Sequence, residues 1–91
     1  MKKELNLEEN LEETNYFIDY YTDRLYKSFR EQEDLFDKAR ELLKNNQKPS
    51  KDFIKEVKKN QRNIKGFQAN LRYLNDVQMF LEDEIELSKQ F

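Results

Sequence analysis

The chain has 91 residues, 40% of them charged and 36% apolar, with one glycine, one proline, no cysteine and no histidine. That composition excludes disulfides, thiol redox chemistry, zinc sites of the usual kind and imidazole catalysis, and one domain (1–91) is the most the length allows. The net charge of −2 conceals a polarity: residues 1–37 carry −6, residues 44–72 carry +7 and residues 73–91 carry −4, so two acidic ends flank a basic middle.

The N-terminal stretch MKKELNLEEN lacks the continuous apolar run of a secretory signal, and nothing in the chain approaches the ~18 apolar residues of a membrane span. The expectation is a cytoplasmic protein, or one exported by a route without a cleaved leader. Residues 1–5 are expected to fray. Beyond them, the scarcity of Gly and Pro among many Glu, Lys, Leu, Gln and Arg predicts long helices.

The first helix is expected over about residues 4–44. Leu11, Ile18, Leu25, Gln32 and Ala39 recur every seven residues. Tyr21, Leu35 and Leu42 flank that stripe on one side, and Phe29, Phe36 and Leu43 on the other, which suits a wide core-facing surface. Six aromatics crowd residues 16–29: Tyr16, Phe17, Tyr20, Tyr21, Tyr26 and Phe29.

The one strong interruption is NNQKPS, residues 45–50. Asn tolerates the left-handed conformation that ends helices. Lys48, before Pro49, is pushed toward extended geometry. Ser50 is a good N-cap, and Asp52 suits the first turn of the next helix. A turn at about 45–50 makes two helices of matching length antiparallel neighbours.

The second helix is expected over about residues 51–90. Val57, Ile64, Leu71, Gln78 and Ile85 form one series, and Phe53, Asn60, Phe67, Leu74, Leu81 and Ser88 the other. Their alternating steps of four and three define a coiled-coil seam. Folding about residue 47 pairs Phe53 with Leu42 or Leu43, Val57 with Ala39, Phe67 with Phe29, Leu71 with Leu25 and Ile85 with Leu11. Gln32 would then join Asn60 and Ile64 in a polar layer. Gly66 is either a tolerated surface residue or the mark of a close approach, for instance by Tyr26. The fold class is thus all-α, a two-helix antiparallel hairpin with a coiled-coil-like seam.

The second helix also carries a second stripe. Tyr73, Val77, Phe80, Glu84, Leu87 and Phe91 repeat at steps of four and three, rotated off the first seam. Tyr16, Phe17 and Tyr20 lie off the main stripe of the first helix and fall near the same end, opposite the turn. One reading is ordinary apolar surface. The sharper one is a patch for helices of another chain, with Tyr73, Val77, Phe80, Leu87, Phe91, Tyr16, Phe17 and Tyr20 as partner-binding residues. The partner is a different helical protein or a second copy. With an acidic open end and a basic loop end, antiparallel or staggered association matches opposite signs.

No catalytic, cofactor-binding or metal-binding residues are expected. Di-iron bundles need a Glu-x-x-His pair, and carboxylates in runs such as LEENLEE and LEDEIE read as solvated faces rather than acid–base pairs. One Gly permits no phosphate loop. Nucleic-acid or regulatory binding through KKNQRNIKGFQANLR, residues 58–72, is the alternative from another class, with Arg62, Lys65 and Arg72 as the phosphate contacts. The net negative charge and the lack of helix-turn-helix spacing argue against it.

A helical chain of this length, hinged once at its middle, resembles the Trp-Xaa-Gly superfamily of small type VII secretion proteins. Typical members have a Trp-x-Gly turn and a C-terminal Tyr-x-x-x-Asp/Glu export signal. Here there is no Trp and the turn is NNQKPS, while Phe80-Leu-Glu-Asp-Glu84 supplies an aromatic-x-x-x-acid pattern within the second helix. In style the chain is most similar to the small helical companions of LXG polymorphic toxins in Gram-positive bacteria, which can lack the Trp-x-Gly turn. The resemblance implies a companion or chaperone that binds the helical N-terminal domain of a toxin effector, alone or beside a second small companion, and aids its export. It also implies that Phe80 and Glu84 serve as export-signal residues. A self-assembling hairpin subunit, of the kind that forms type III secretion needles, is the structural alternative. A prefoldin-like chaperone fits less well, because the short turn leaves no room for strands.

Overall fold

Two helices account for almost all of residues 6–90, the part of the chain that the computed structural model describes. Helix α1 spans Leu7–Lys44 and α2 spans Lys51–Gln90. The expected start near residue 4, the fraying of residues 1–5, and Phe91 lie outside the described residues. Asn6 is the N-cap of α1, its side chain accepting from the Glu9 N–H at 3.1 Å. Glu8 and Glu9 in the first turn favour that end of the helix dipole.

The turn is a Schellman closure. Asn46 adopts φ 53°, the left-handed conformation that Asn tolerates better than most residues with a Cβ. Its N–H donates to the Leu43 carbonyl at 3.2 Å, and the Gln47 N–H donates to Leu42 at 2.9 Å. Three residues later Ser50 caps α2, with its Oγ accepting from the Phe53 N–H at 3.1 Å. Each helix end at the turn thus has some of its backbone groups satisfied locally.

The helices lie side by side in a body 69 Å long and only 14 Å in its thinnest direction. In heptad letters, α1 turns its d positions (Leu7, Thr14, Tyr21, Ser28, Leu35, Leu42) and its a positions (Leu11, Ile18, Leu25, Gln32, Ala39) inward, and each is buried or half-buried. Helix α2 does the same from Phe53 to Ile85. The expected seam member Ser88 is exposed, its hydroxyl donating to its own helix at Ile85 O, 2.8 Å. Among the described residues, the buried apolar core consists of Leu35, Ile64 and Leu81.

The polar layer differs from the expected one. Asn60, 2% exposed, donates from Nδ2 to the Ser28 carbonyl at 2.9 Å, one turn before Gln32. The reason is steric. Ser28 is small enough for α2 to approach the α1 backbone, and a helical carbonyl keeps a second lone pair for a buried amide. Phe67 likewise packs against Tyr21, with ring centroids 6.1 Å apart, two turns nearer the start of α1 than the expected Phe29. Gln78 donates to Asn15 Oδ1 at 2.7 Å. Thr14, also buried, returns its hydroxyl to Asn10 O at 2.7 Å. Among the described residues, no buried side-chain polar atom lacks a partner.

Gly66 is exposed, and a Cβ there would meet nothing within 4 Å. It accommodates no close approach within the hairpin, so the pairing with Tyr26 is not made.

Candidate partner-binding face

The seam leaves two flanks on the hairpin. Positions g and c of both helices make up the front, and positions e and b the rear. On the front of the open half, Asn10, Glu13, Phe17, Tyr73, Val77 and Phe80 line one groove, with Leu74 and Leu81 among the seam residues beneath them. Phe17, Tyr73 and Leu74 continue into an adjoining groove with Tyr21 and Asn70. The structure therefore brings together four of the residues expected on the second stripe: Phe17, Tyr73, Val77 and Phe80.

Their exposure is large for apolar side chains. Tyr73 is 68% and Phe80 60% exposed, while Val77 is half-buried against the seam. Leu87 is exposed on the same face, beyond the groove. Phe91 lies outside the described residues. Tyr16 and Tyr20 are exposed at the outer edge of α1. Tyr16 stands edge-on to Phe17 at 5.5 Å, and Phe17 stacks toward Tyr21 at 6.5 Å. Tyr20 meets Tyr21 edge-on at 5.3 Å and carries the Arg24 guanidinium 5.1 Å from its ring centre. These local contacts shelter part of the aromatic surface and pre-order the rings. Glu84 is half-buried on the front flank, one turn past Phe80.

A second apolar patch lies elsewhere, and it takes in Phe29, Phe36 and Leu43, expected on the core-facing surface of α1. Phe36, Leu43 and Ile54 are exposed on the rear of the loop half, beside the half-buried Phe29. Each follows a d position by one residue, so each faces outward along the rear flank. Leu43 is 75% exposed and does not serve as the partner of Phe53. Leu42 does, as both line the groove beside the turn. In the folded hairpin, eleven seam positions of α1 fill the face toward α2, which leaves the Phe29–Phe36–Leu43 series over.

The acidic runs are solvated. Glu8, Glu9, Glu12 and Glu13 are exposed, as are Glu82, Asp83 and Glu86. Among the described residues, no group of three or more carboxylates is placed to hold a metal ion. No described helix is long and apolar enough to cross a membrane. Arg62, Lys65 and Arg72 are exposed on α2, but at outer and rear positions rather than in the aromatic groove. No family model, curated protein or solved structure matches the chain.

Proposed function

We propose that this chain is a non-enzymatic interaction module that works by presenting the front of its open half to helices of another chain. In its most specific form it is a secretion-associated companion that binds the helical N-terminal domain of an LXG toxin effector in the cytoplasm and aids its export. Phe80 and Glu84 are then both contact and signal residues.

The observation that supports the reading is the exposure of Tyr73 and Phe80 in a groove shared with Phe17 and Val77. Large, rigid rings held around a concave apolar floor are the usual anchors of helix-in-groove recognition. A hairpin with three buried apolar residues among those described has little core of its own, and a partner helix supplies what is missing. The toxin-domain version comes from the resemblance in length, single turn and Phe80-x-x-x-Glu84 pattern.

The test is co-purification with the N-terminal domain of an LXG toxin encoded beside this gene. The wild-type chain is expected to form a stable complex. Phe80→Glu is expected to abolish it, because a carboxylate in an apolar contact is buried without a partner, while far-UV helicity is retained. A chain that ignores the toxin domain rules out the companion role. A Phe80→Glu chain that loses its helicity shows instead that Phe80 belongs to the core.

A further inference from the structure

The hairpin carries two apolar patches on opposite faces and at opposite ends. The front patch lies in the open half, around Phe17, Tyr73 and Phe80. The rear patch lies in the loop half, around Phe36, Leu43 and Ile54. The remaining two quadrants mix polar with apolar side chains, Leu42 and Phe53 lying at the front of the loop half and Leu11, Ile85 and the exposed Met79 at the rear of the open half. Lys38, Glu41, Asn45 and Lys48 line the groove on the front of the loop half. Glu82, Glu86 and Lys89 line the one on the rear of the open half.

Charge follows the same diagonal. The g, c and f positions of the open half carry Glu9, Glu13, Asp23, Asp76, Asp83 and Glu84 against one base, Arg24. The b positions of the loop half carry Lys51, Lys58, Lys65 and Arg40 against one acid, Glu33. The two regions lie far apart along the 69 Å body, several times the ~8 Å screening length at physiological salt. They therefore act outward rather than on each other.

We propose that the front of the open half is covered by the rear of the loop half of a second copy, so that chains stack head to tail with a stagger of about half their length. The inference rests on the front face being a docking surface, and it names the occupant. Three arrangements of two copies bring different surfaces together. Antiparallel overlap of the front faces sets Tyr73 and Phe80 against Lys38 and Glu41. Parallel overlap of the front faces sets apolar on apolar but stacks the acidic ends. The staggered arrangement alone sets each apolar patch on the other and faces acids with bases. Its two surfaces are different, so the contact is heterologous. Because the operation relating the copies is chiefly a translation, the assembly does not close on itself. A foreign helical domain on the front face would compete with this contact and cap the stack.

The test uses the full chain and two variants, Phe80→Glu on the front and Leu43→Lys on the rear, with light scattering across a concentration series. The wild type is expected to grow past a dimer as concentration rises. Each variant alone is expected to weaken self-association about 30-fold or more, the scale of a lost interface anchor. An equimolar mixture of the two is expected to form a 1:1 dimer that grows no further, since it retains one intact joint and two blocked ends. Leu43 is largely solvent-exposed, so Leu43→Lys tests the rear patch whatever Phe80→Glu does to the fold.

A wild-type chain that stops at a dimer insensitive to Leu43→Lys overturns the proposal in favour of a front-to-front pair. Variants that fail to complement in the mixture also overturn it. A wild-type chain that stays monomeric at every concentration overturns self-stacking but leaves toxin-domain binding, measured separately, untouched.

Discussion

Among the described residues, Asn60 is the least exposed polar side chain and the one direct side-chain tie between a helix and the opposite backbone, through Ser28 O. A buried amide of this kind disfavours other registers, because any slip strands its donor. Asn60→Asp should destabilise the fold by about 3 kcal/mol or more, since it sets a buried carboxylate against a carbonyl oxygen. Asn60→Leu should be neutral or stabilising by about 1 kcal/mol, because the Ser28 carbonyl keeps its own helical hydrogen bond. Urea unfolding of the two variants measures both effects. Gly66 is a simpler case. With open space where its Cβ would sit, Gly66→Ala should raise stability by about 1 kcal/mol through helix propensity alone. A loss of self-association in the same variant would place Gly66 under a second chain.

At the scale of the element, the turn works because each helix end is capped locally. Asn46 supplies the left-handed residue, and Ser50 restarts the helix. Asn46→Gly should stabilise the hairpin by a few tenths of a kcal/mol to about 1 kcal/mol, since Gly adopts positive φ without Cβ strain. Asn46→Val should cost about 1–2 kcal/mol for the opposite reason. Thermal melts of both variants check the sign. The ion pairs along α1, Lys27 with Asp23 and Arg40 with Asp37, are exposed and add little. The helices persist through caps and the seam rather than through surface charge.

For the whole molecule, the decisive feature is thinness. Two long helices bury Leu35, Ile64 and Leu81 and leave aromatic and aliphatic patches on both faces in water. Anything that binds only the folded chain raises its apparent stability. The melting temperature of the wild type should therefore rise with protein concentration, and that dependence should vanish in Phe80→Glu. A melting temperature that does not change with concentration would mean that the hairpin is sufficient by itself. Added salt should loosen the wild-type association, because acids meet bases at each joint.

The sequence by itself determined the two helices, the turn between them and the seam, because caps, turn residues and seven-residue spacing are local properties. The second stripe was legible too. Tyr73 and Phe80 fall outside a seam that Leu74, Gln78 and Leu81 already complete, so their exposure follows from spacing. The coarse register also followed from folding about the turn, which sets Leu42 by Phe53 and Leu11 by Ile85. The individual partners between those ends were decided only by the tertiary structure, where Asn60 finds Ser28 and Phe67 finds Tyr21. The rear patch was likewise hidden, because Phe29, Phe36 and Leu43 read as core until the width of the α1–α2 contact is known. That width is set by how closely two helices approach across Ser28 and Thr14, both buried, and closeness is a property of the pair rather than of either strip of sequence.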